Sequence, residues 1–250
     1  MTVLAGARLP RPRQSRKERD LAAHYAPCIR FDRHEPFLPL VVGYTIFTGD
    51  GNSPSFPRRI ELRGPNRQPA TLAIEYAIWW DWDIQHLYEL EHTWTYVGGN
   101  GDVVYAEASW HGGFAPAVLD DGRVPLASGD CCHPVVYSQP GKHAFVPVPD
   151  PLLEIREGTE RSCGPKAGST GLLVTDLFKG ILDSRKTPEA DALANAYLKT
   201  HAFTPAFVWD KDVLVTRDML IPWPALFAWI PARIDWCLAQ LRAATNPVVR

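Results

Sequence analysis

Two hydrophobic periods divide the chain. From about residue 39 to residue 148, apolar residues come in short runs in which side chains alternate or are β-branched and aromatic. After about Ser162 they recur at three and four positions. The runs PLVVGYTIF (39–47) and ATLAIEYAIWW (70–80) predict strands. EHTWTYV (91–97) and DVVYAEAS (102–109) predict a hairpin around GGNG, where Asn100-Gly101 suits positive φ. HPVVYS (133–138) and HAFVPV (143–148) predict two more short strands. Residues 17–26 predict a short helix stopped by Pro27. In the last third, segments 171–182, 188–201, 219–230 and 231–244 have helical spacing, with Pro231 suited to a first turn. The expected fold class is mainly β with added helices (α+β). A basic leader (1–16) precedes a β core (17–160), and a helical region (161–250) packs on that core.

Composition narrows the partners. Of 250 residues, 46% are hydrophobic and 22% charged, with a formal net charge of −2. A chain of this length buries a full core. No broad basic field exists, which argues against nucleic acid. The one basic run, ARLPRPRQSRKER, reads as a solvated leader. It has no apolar h-region or small-residue cleavage site, so no secretory signal is expected. No run of about 18 apolar residues occurs, so no membrane span is expected. Five cysteines, odd in number and scattered, argue against a disulfide framework and for a reducing, cytoplasmic setting. GPKAGSTG (164–171) lacks the ending of a phosphate-binding loop and reads as a flexible connection.

One stretch departs from this ordinary picture. WWDWDIQHLYELEH (79–92) holds Asp81, Asp83, His86, Glu89, Glu91 and His92. Acids crowded this closely need a cation, positive side chains or open water. Glu89 and Glu91, two apart, share a face at the start of a strand. His86 sits three before Glu89, in an expected turn. Asp81 and Asp83 share a face at the end of the preceding strand. Two strand ends and a turn can therefore converge on one divalent cation, and mixed imidazole and carboxylate donors suit Mg, Mn, Ca, Fe or Zn. The spacing equally fits a solvated acidic rim.

More histidines stand at strand entrances. ASWHGGF (108–114) puts Glu107, Ser109 and His111 on one face ahead of a Gly-Gly pair, and His143 follows the Pro-Gly turn of QPGKHAF. His133 enters a strand after Cys132. His111 and His143 are the candidate general acid/bases, since imidazole titrates nearest neutral pH. Tyr88, Trp110, Glu107 and His133 are candidate substrate contacts. Trp79, Trp82 and Trp94 are candidate walls.

At these residues the chain resembles a known superfamily. HLYELEHTWTYVGGNGDVVYAEASWHGGF (86–114) is similar to the core of the necrosis- and ethylene-inducing-peptide-like proteins. QHLYELE stands where that family has its heptapeptide GHRHDWE, and SWHGGF stands at its second motif. YAPCIRFDRHEPFLP (25–39) and QPGKHAF resemble the related vacuolar protein sorting-associated protein 62-like family. The resemblance spans about residues 22–150. It implies a β-sandwich that binds a divalent cation. His86 would take the place of the first heptapeptide histidine, Glu89 its aspartate and Glu91 its glutamate. Asp81 or Asp83 would supply a preceding aspartate. Tyr88 replaces the second histidine, and Glu89 is one methylene longer than aspartate. Secreted relatives bind sphingolipid head groups, but only the fold and the metal site are carried over here.

Three functions remain open on this basis. One is a metal-dependent enzyme, hydrolase- or lyase-like, acting on a small molecule. The second is a non-catalytic, cation-dependent binding module for a sugar or other glycan-like head group. The third is a structural cation that ties strand ends together.

Overall fold

The computed structural model describes residues 15–64, 67–129 and 132–245. The leader 1–16 lies outside these residues except for Ser15 and Arg16. Ser15 caps helix α1 (Arg16–His24) by accepting the Glu18 N–H, a bond that satisfies an otherwise orphaned donor. The strands β1 (Cys28–Phe31), β2 (Val41–Phe47), β3 (Gly51–Asn52), β4 (Arg59–Ile60) and β5 (Leu72–Trp82) follow. Next come β6 (His86–Val97), β7 (Val103–Trp110), β8 (Gly113–Pro116), β9 (Val135–Ser138) and β10 (Phe145–Val146). Helices α2 (Asp150–Glu154) and α3 (Arg156–Cys163) lead to β11 (Gly171–Leu172) and α4 (Pro188–Lys199). The chain closes with β12 (Lys211–Leu214), β13 (Leu220–Pro222) and α5 (Trp223–Thr245). The class is mixed α+β, sheets with added helices, as the hydrophobic pattern predicts.

Two sheets carry the fold. The larger runs β13-β2-β5-β6-β7-β8, and β11 lies beside β6. The smaller runs β10-β9-β1-β12. The long hairpin β5–β6 is the spine of the larger sheet, in register from Leu72 opposite Val97 to Trp82 opposite Leu87. Ile74, Tyr76, Ile78, Trp79 and Trp80 of β5 are fully buried. Each such side chain stabilises the fold by about 1.5–3 kcal/mol through burial. Strand β5 is buried on nearly every residue, so it shows a continuous apolar run and little alternation.

The last third contributes more than helices. Helix α4 forms as its spacing predicts, with Pro188 in its first turn and Thr187 accepting the Ala190 N–H. The segments 219–230 and 231–244 are instead β13 and one continuous α5, with Pro231 inside it. The helix runs through the proline because one apolar stripe, from Trp223 and Leu226 to Leu238 and Leu241, is buried along both halves. It seats on β2 at Gly43, where a Cβ would lie 2.9 Å from Leu226 Cδ2. Segment 171–182 is not a helix. Gly171, at φ 78°, opens strand β11, and only Asp176–Phe178 makes a helical turn. Its apolar residues cover the sheet as irregular chain. Pairing with β6 took precedence over helical spacing.

The larger sheet splits where the acidic stretch lies. Strand β7 pairs with β6 only from Thr93 to Val97. Strand β11 pairs with β6 only at His86 and Leu87. Residues 88–92 lie between these two ladders, and a cavity opens there.

Candidate metal centre

The site begins with a tight turn between β5 and β6. The Asp83 N–H donates to the His86 carbonyl at 3.0 Å, and the Gln85 N–H donates to Asp83 Oδ1 at 2.7 Å. A short acid that bonds the backbone two residues on is what such a turn requires. The Ile84 N–H donates to the Gly141 carbonyl, which ties this turn to the turn at 139–143. Asp83 is fully buried, and its Oδ2 has no hydrogen-bond partner among the described residues.

His86 opens β6 and does not sit in the turn. Tyr88 takes φ 59°, a left-handed backbone that is unusual outside glycine. Its ring, stacked on Trp79 at 4.9 Å, holds it there. The ladder partnership of Asp81 and Tyr88 is missing at this point. A regular strand would send His86 and Glu89 to opposite faces. Here they meet. His86 Nδ1 lies 2.8 Å from the Tyr88 carbonyl. A carbonyl only accepts, so Nδ1 carries the proton, and Nε2 faces Asp83 Oδ1 at 3.5 Å and Glu89 Oε2 at 3.6 Å. One donor atom each from Asp83, His86 and Glu89 lie within 4.8 Å of one another.

The cavity beside this group measures about 430 Å³. Its polar lining includes His86, Glu89, Glu91, His92, His111, Lys142 and Asp176, with Tyr88, Ser55 and Thr175, and its apolar lining includes Phe56, Leu90, Leu173 and Leu177. That volume suits a small molecule. Burial pushes the Glu89 carboxyl up to about 7, aided by the charges of Glu91 and Asp83 and opposed by His86. Burial also pushes Glu91 up to about 7, against hydrogen bonds from Ser109 Oγ and the His111 backbone. Burial alone would raise Asp83, but the charges of His86 and Lys142 hold it below the ordinary carboxylate range. Two acids with raised affinity for protons beside one held ionised form a cation-hungry group.

The other sequence-predicted residues divide. Glu91 is buried in the cavity wall, bonded by Ser109 Oγ, and is not one of the three close donors. Asp81 is drawn elsewhere: both its oxygens bind Arg233 of α5, at 3.0 and 2.7 Å. His111, at φ 47°, lies at the cavity rim in the turn before β8. Gln139 spends its amide N–H on Thr159, so its Oε1 accepts from His111 Nε2 at 2.8 Å. That leaves His111 Nδ1 as the basic nitrogen, and burial holds the imidazole below its ordinary value. His143 is fully buried, stacked on Trp80 at 4.6 Å, with Nε2 3.3 Å from Glu35, and does not line the cavity. Glu107 binds Arg58 and Tyr96, both at 2.7 Å, in a second apolar cluster. His133 Nδ1 lies 2.7 Å from the Ala26 carbonyl, and Trp110 packs edge-on against His111. Neither lines the cavity, whereas Tyr88 does.

Of two further cavity residues, Lys142 escaped the sequence reading, and His92 was named in the acidic stretch without a role at the site. Lys142 Nζ lies 2.7 Å from Asp83 Oδ1. His92 is buried, and its Nε2 is 3.0 Å from Ser55 Oγ, whose own proton goes to Glu75 at 2.6 Å. Lys142 sits in the quoted QPGKHAF, but nothing local signals that its turn folds against residue 84. Comparison with protein-family models, characterised proteins and solved structures finds no match.

Proposed function

We propose that this protein binds a divalent cation through Asp83, His86 and Glu89 and uses it on a small molecule admitted to the adjoining cavity, in a hydrolase- or lyase-like reaction. The orientation of His86 carries the reading. Its Nδ1–H is committed to the Tyr88 carbonyl, so Nε2 is the nitrogen left to ligate, and it points between two carboxylates. Ligating histidines are commonly fixed in this way, with the far nitrogen bonded to a backbone carbonyl. The buried, unpartnered Asp83 Oδ2 is a further acceptor that a cation satisfies. One imidazole with two carboxylates fits Mn, Fe, Zn or Mg, and the residues present fit the group that the necrosis-inducing-protein resemblance implies.

When bound, the cation supplies a Lewis acid that polarises a substrate oxygen. The chain supplies the rest. His111 Nδ1, at the rim, takes or gives a proton. Tyr88, Leu90, Leu173 and Leu177 exclude water from the far wall. Glu91, held by Ser109, keeps a second carboxyl beside the reacting space. A sugar or head-group ligand held by the same cation without turnover is the non-catalytic version of this site.

Elemental analysis and Mn²⁺ titration of the full chain test the reading. One ion per chain is expected, lost in Asp83→Asn/Glu89→Gln. Cation uptake that survives this double change refutes the site. The loaded protein is then assayed on panels of small esters, amides and phosphoesters. His111→Ala is expected to keep the cation and lose turnover. Ligand binding with no product from any panel would support the non-catalytic version.

A further inference from the structure

We propose that Lys142 is a built-in counter-cation of the acidic cluster, and that a divalent ion binds by displacing its ammonium from Asp83. The proposal rests on the cation site above and adds what controls its occupancy.

Lys142 is placed too firmly for an ordinary surface lysine. Its ammonium lies 2.7 Å from Asp83 Oδ1, and its side chain is 12% exposed against a fully buried Asp83. The turn that carries it is pinned on both sides. Gly141, at φ 68°, donates its N–H to Glu35 Oε2 at 2.7 Å. A Cβ on Gly141 would lie 2.9 Å from Cys163 Sγ and from Ile84 Cγ2, so only glycine fits. His143 takes φ 64°, a strained conformation for a non-glycine residue, and sits within 3.3 Å of Glu35 Oε1. The N–H groups of Lys142 and His143 both donate to the Gln139 carbonyl, at 3.1 and 2.9 Å. Glu35, fully buried at its side chain, therefore positions the turn, and the turn aims Lys142 at Asp83.

The charges explain the need. Glu89 and Glu91 line the cavity, Asp83 is buried next to it, and Lys142 puts one ammonium among them. A buried carboxylate without a counter-ion is costly. Lys142 supplies one when no metal is present and keeps the empty cluster folded. The same contact opposes a metal ion. A dication on Asp83, His86 and Glu89 repels an ammonium bonded to one of its own ligands. Binding then requires the flexible lysine stem to swing its charge into the cavity, which the 430 Å³ beside it permits. The site thus alternates between an ammonium-held and a metal-held state, and Lys142 sets its affinity.

Titration of Mn²⁺ alone into the full chain, Lys142→Met and Lys142→Gln tests this. Both variants are expected to bind Mn²⁺ at least tenfold more tightly than the unaltered chain. Equal or weaker binding in the variants overturns the counter-cation role while leaving the cation site standing. No binding in any of the three overturns the site and this proposal together. A measurement on the unaltered sequence guards against variants that fail to fold. In reductively ¹³C-methylated protein, the Lys142 methyl resonance is expected to shift when Zn²⁺ is added. A Lys142 signal that stays in place at saturating Zn²⁺ also refutes displacement.

Discussion

Glu91→Gln tests the electrostatics of the cavity directly. Glu91 is 4% exposed and is held by Ser109 Oγ and the His111 N–H. Burial moves its carboxyl from 4.5 to about 7. At 1.36 kcal/mol per pKa unit, ionising it in the fold costs about 3 kcal/mol more than in the unfolded chain. The sign follows from proton counts. Between these pH values the folded chain holds a proton that the unfolded chain has released, so stability falls as pH rises from 4.5 to about 7. Above that range the full penalty applies. Glutamine resembles the protonated acid and does not titrate. Ser109 can redirect its hydroxyl to the His92 carbonyl, which is 3.2 Å away. In chelator at pH 8 the variant is therefore expected to be about 1–3 kcal/mol more stable, or roughly 3–10 °C in melting temperature for a chain of this size. At pH 4.5 the two proteins should melt alike. Scanning calorimetry across pH, with and without millimolar Mn²⁺, measures this, and the cation should shrink the gap by stabilising the ionised acid. A variant that melts lower than the parent at pH 8 in chelator refutes the reasoning, because Ser109 and the His111 N–H would then outweigh burial.

Three further outcomes are expected. Asp81→Ala strands the guanidinium of Arg233, whose side chain is 3% exposed, and should cost about 3–5 kcal/mol in denaturant melts while leaving cation stoichiometry unchanged. His92 is held neutral to about 3 by burial and by the charge of Arg58, whereas the unfolded chain takes the proton near 6.5. It contributes stability above pH 6.5 that is lost as pH falls toward 3, and NMR of the His92 ring should show no protonation at pH 4.5. Gly43→Ala drives a methyl into Leu226 and Trp223, at 2.9 and 3.1 Å, and should destabilise by about 1–3 kcal/mol through the α5 seat, read by urea unfolding.

Much of the fold was legible because it rests on local rules. Runs rich in β-branched and aromatic residues marked β2, β5 and β7. Asn100-Gly101 marked the β6–β7 hairpin, and Gly101 indeed takes φ 88°. Thr187 and Pro188 announced α4 through cap chemistry that acts within one turn. The crowding of acids in 79–92 was visible in the same way, and three of its members meet in space.

Long-range partners decided the rest. Segment 171–182 has helical spacing, yet a free edge of β6 captured it as a strand, and no local pattern records that edge. Asp81 and Asp83 are indistinguishable by spacing. An arginine 152 positions away claimed one for α5, and Lys142 claimed the other for the cavity. His111 and His143 both follow strand-entry signals, but only the first reaches the cavity, because Glu35 and Trp80 draw the second into the core. The chain's own pattern determined that it would build twisted sheets with a stripe of helix against them, since each residue's periodicity acts through its neighbours. Which acids share a cation site was decided by the tertiary structure, because opposite charges and free strand edges find each other only once the chain has folded.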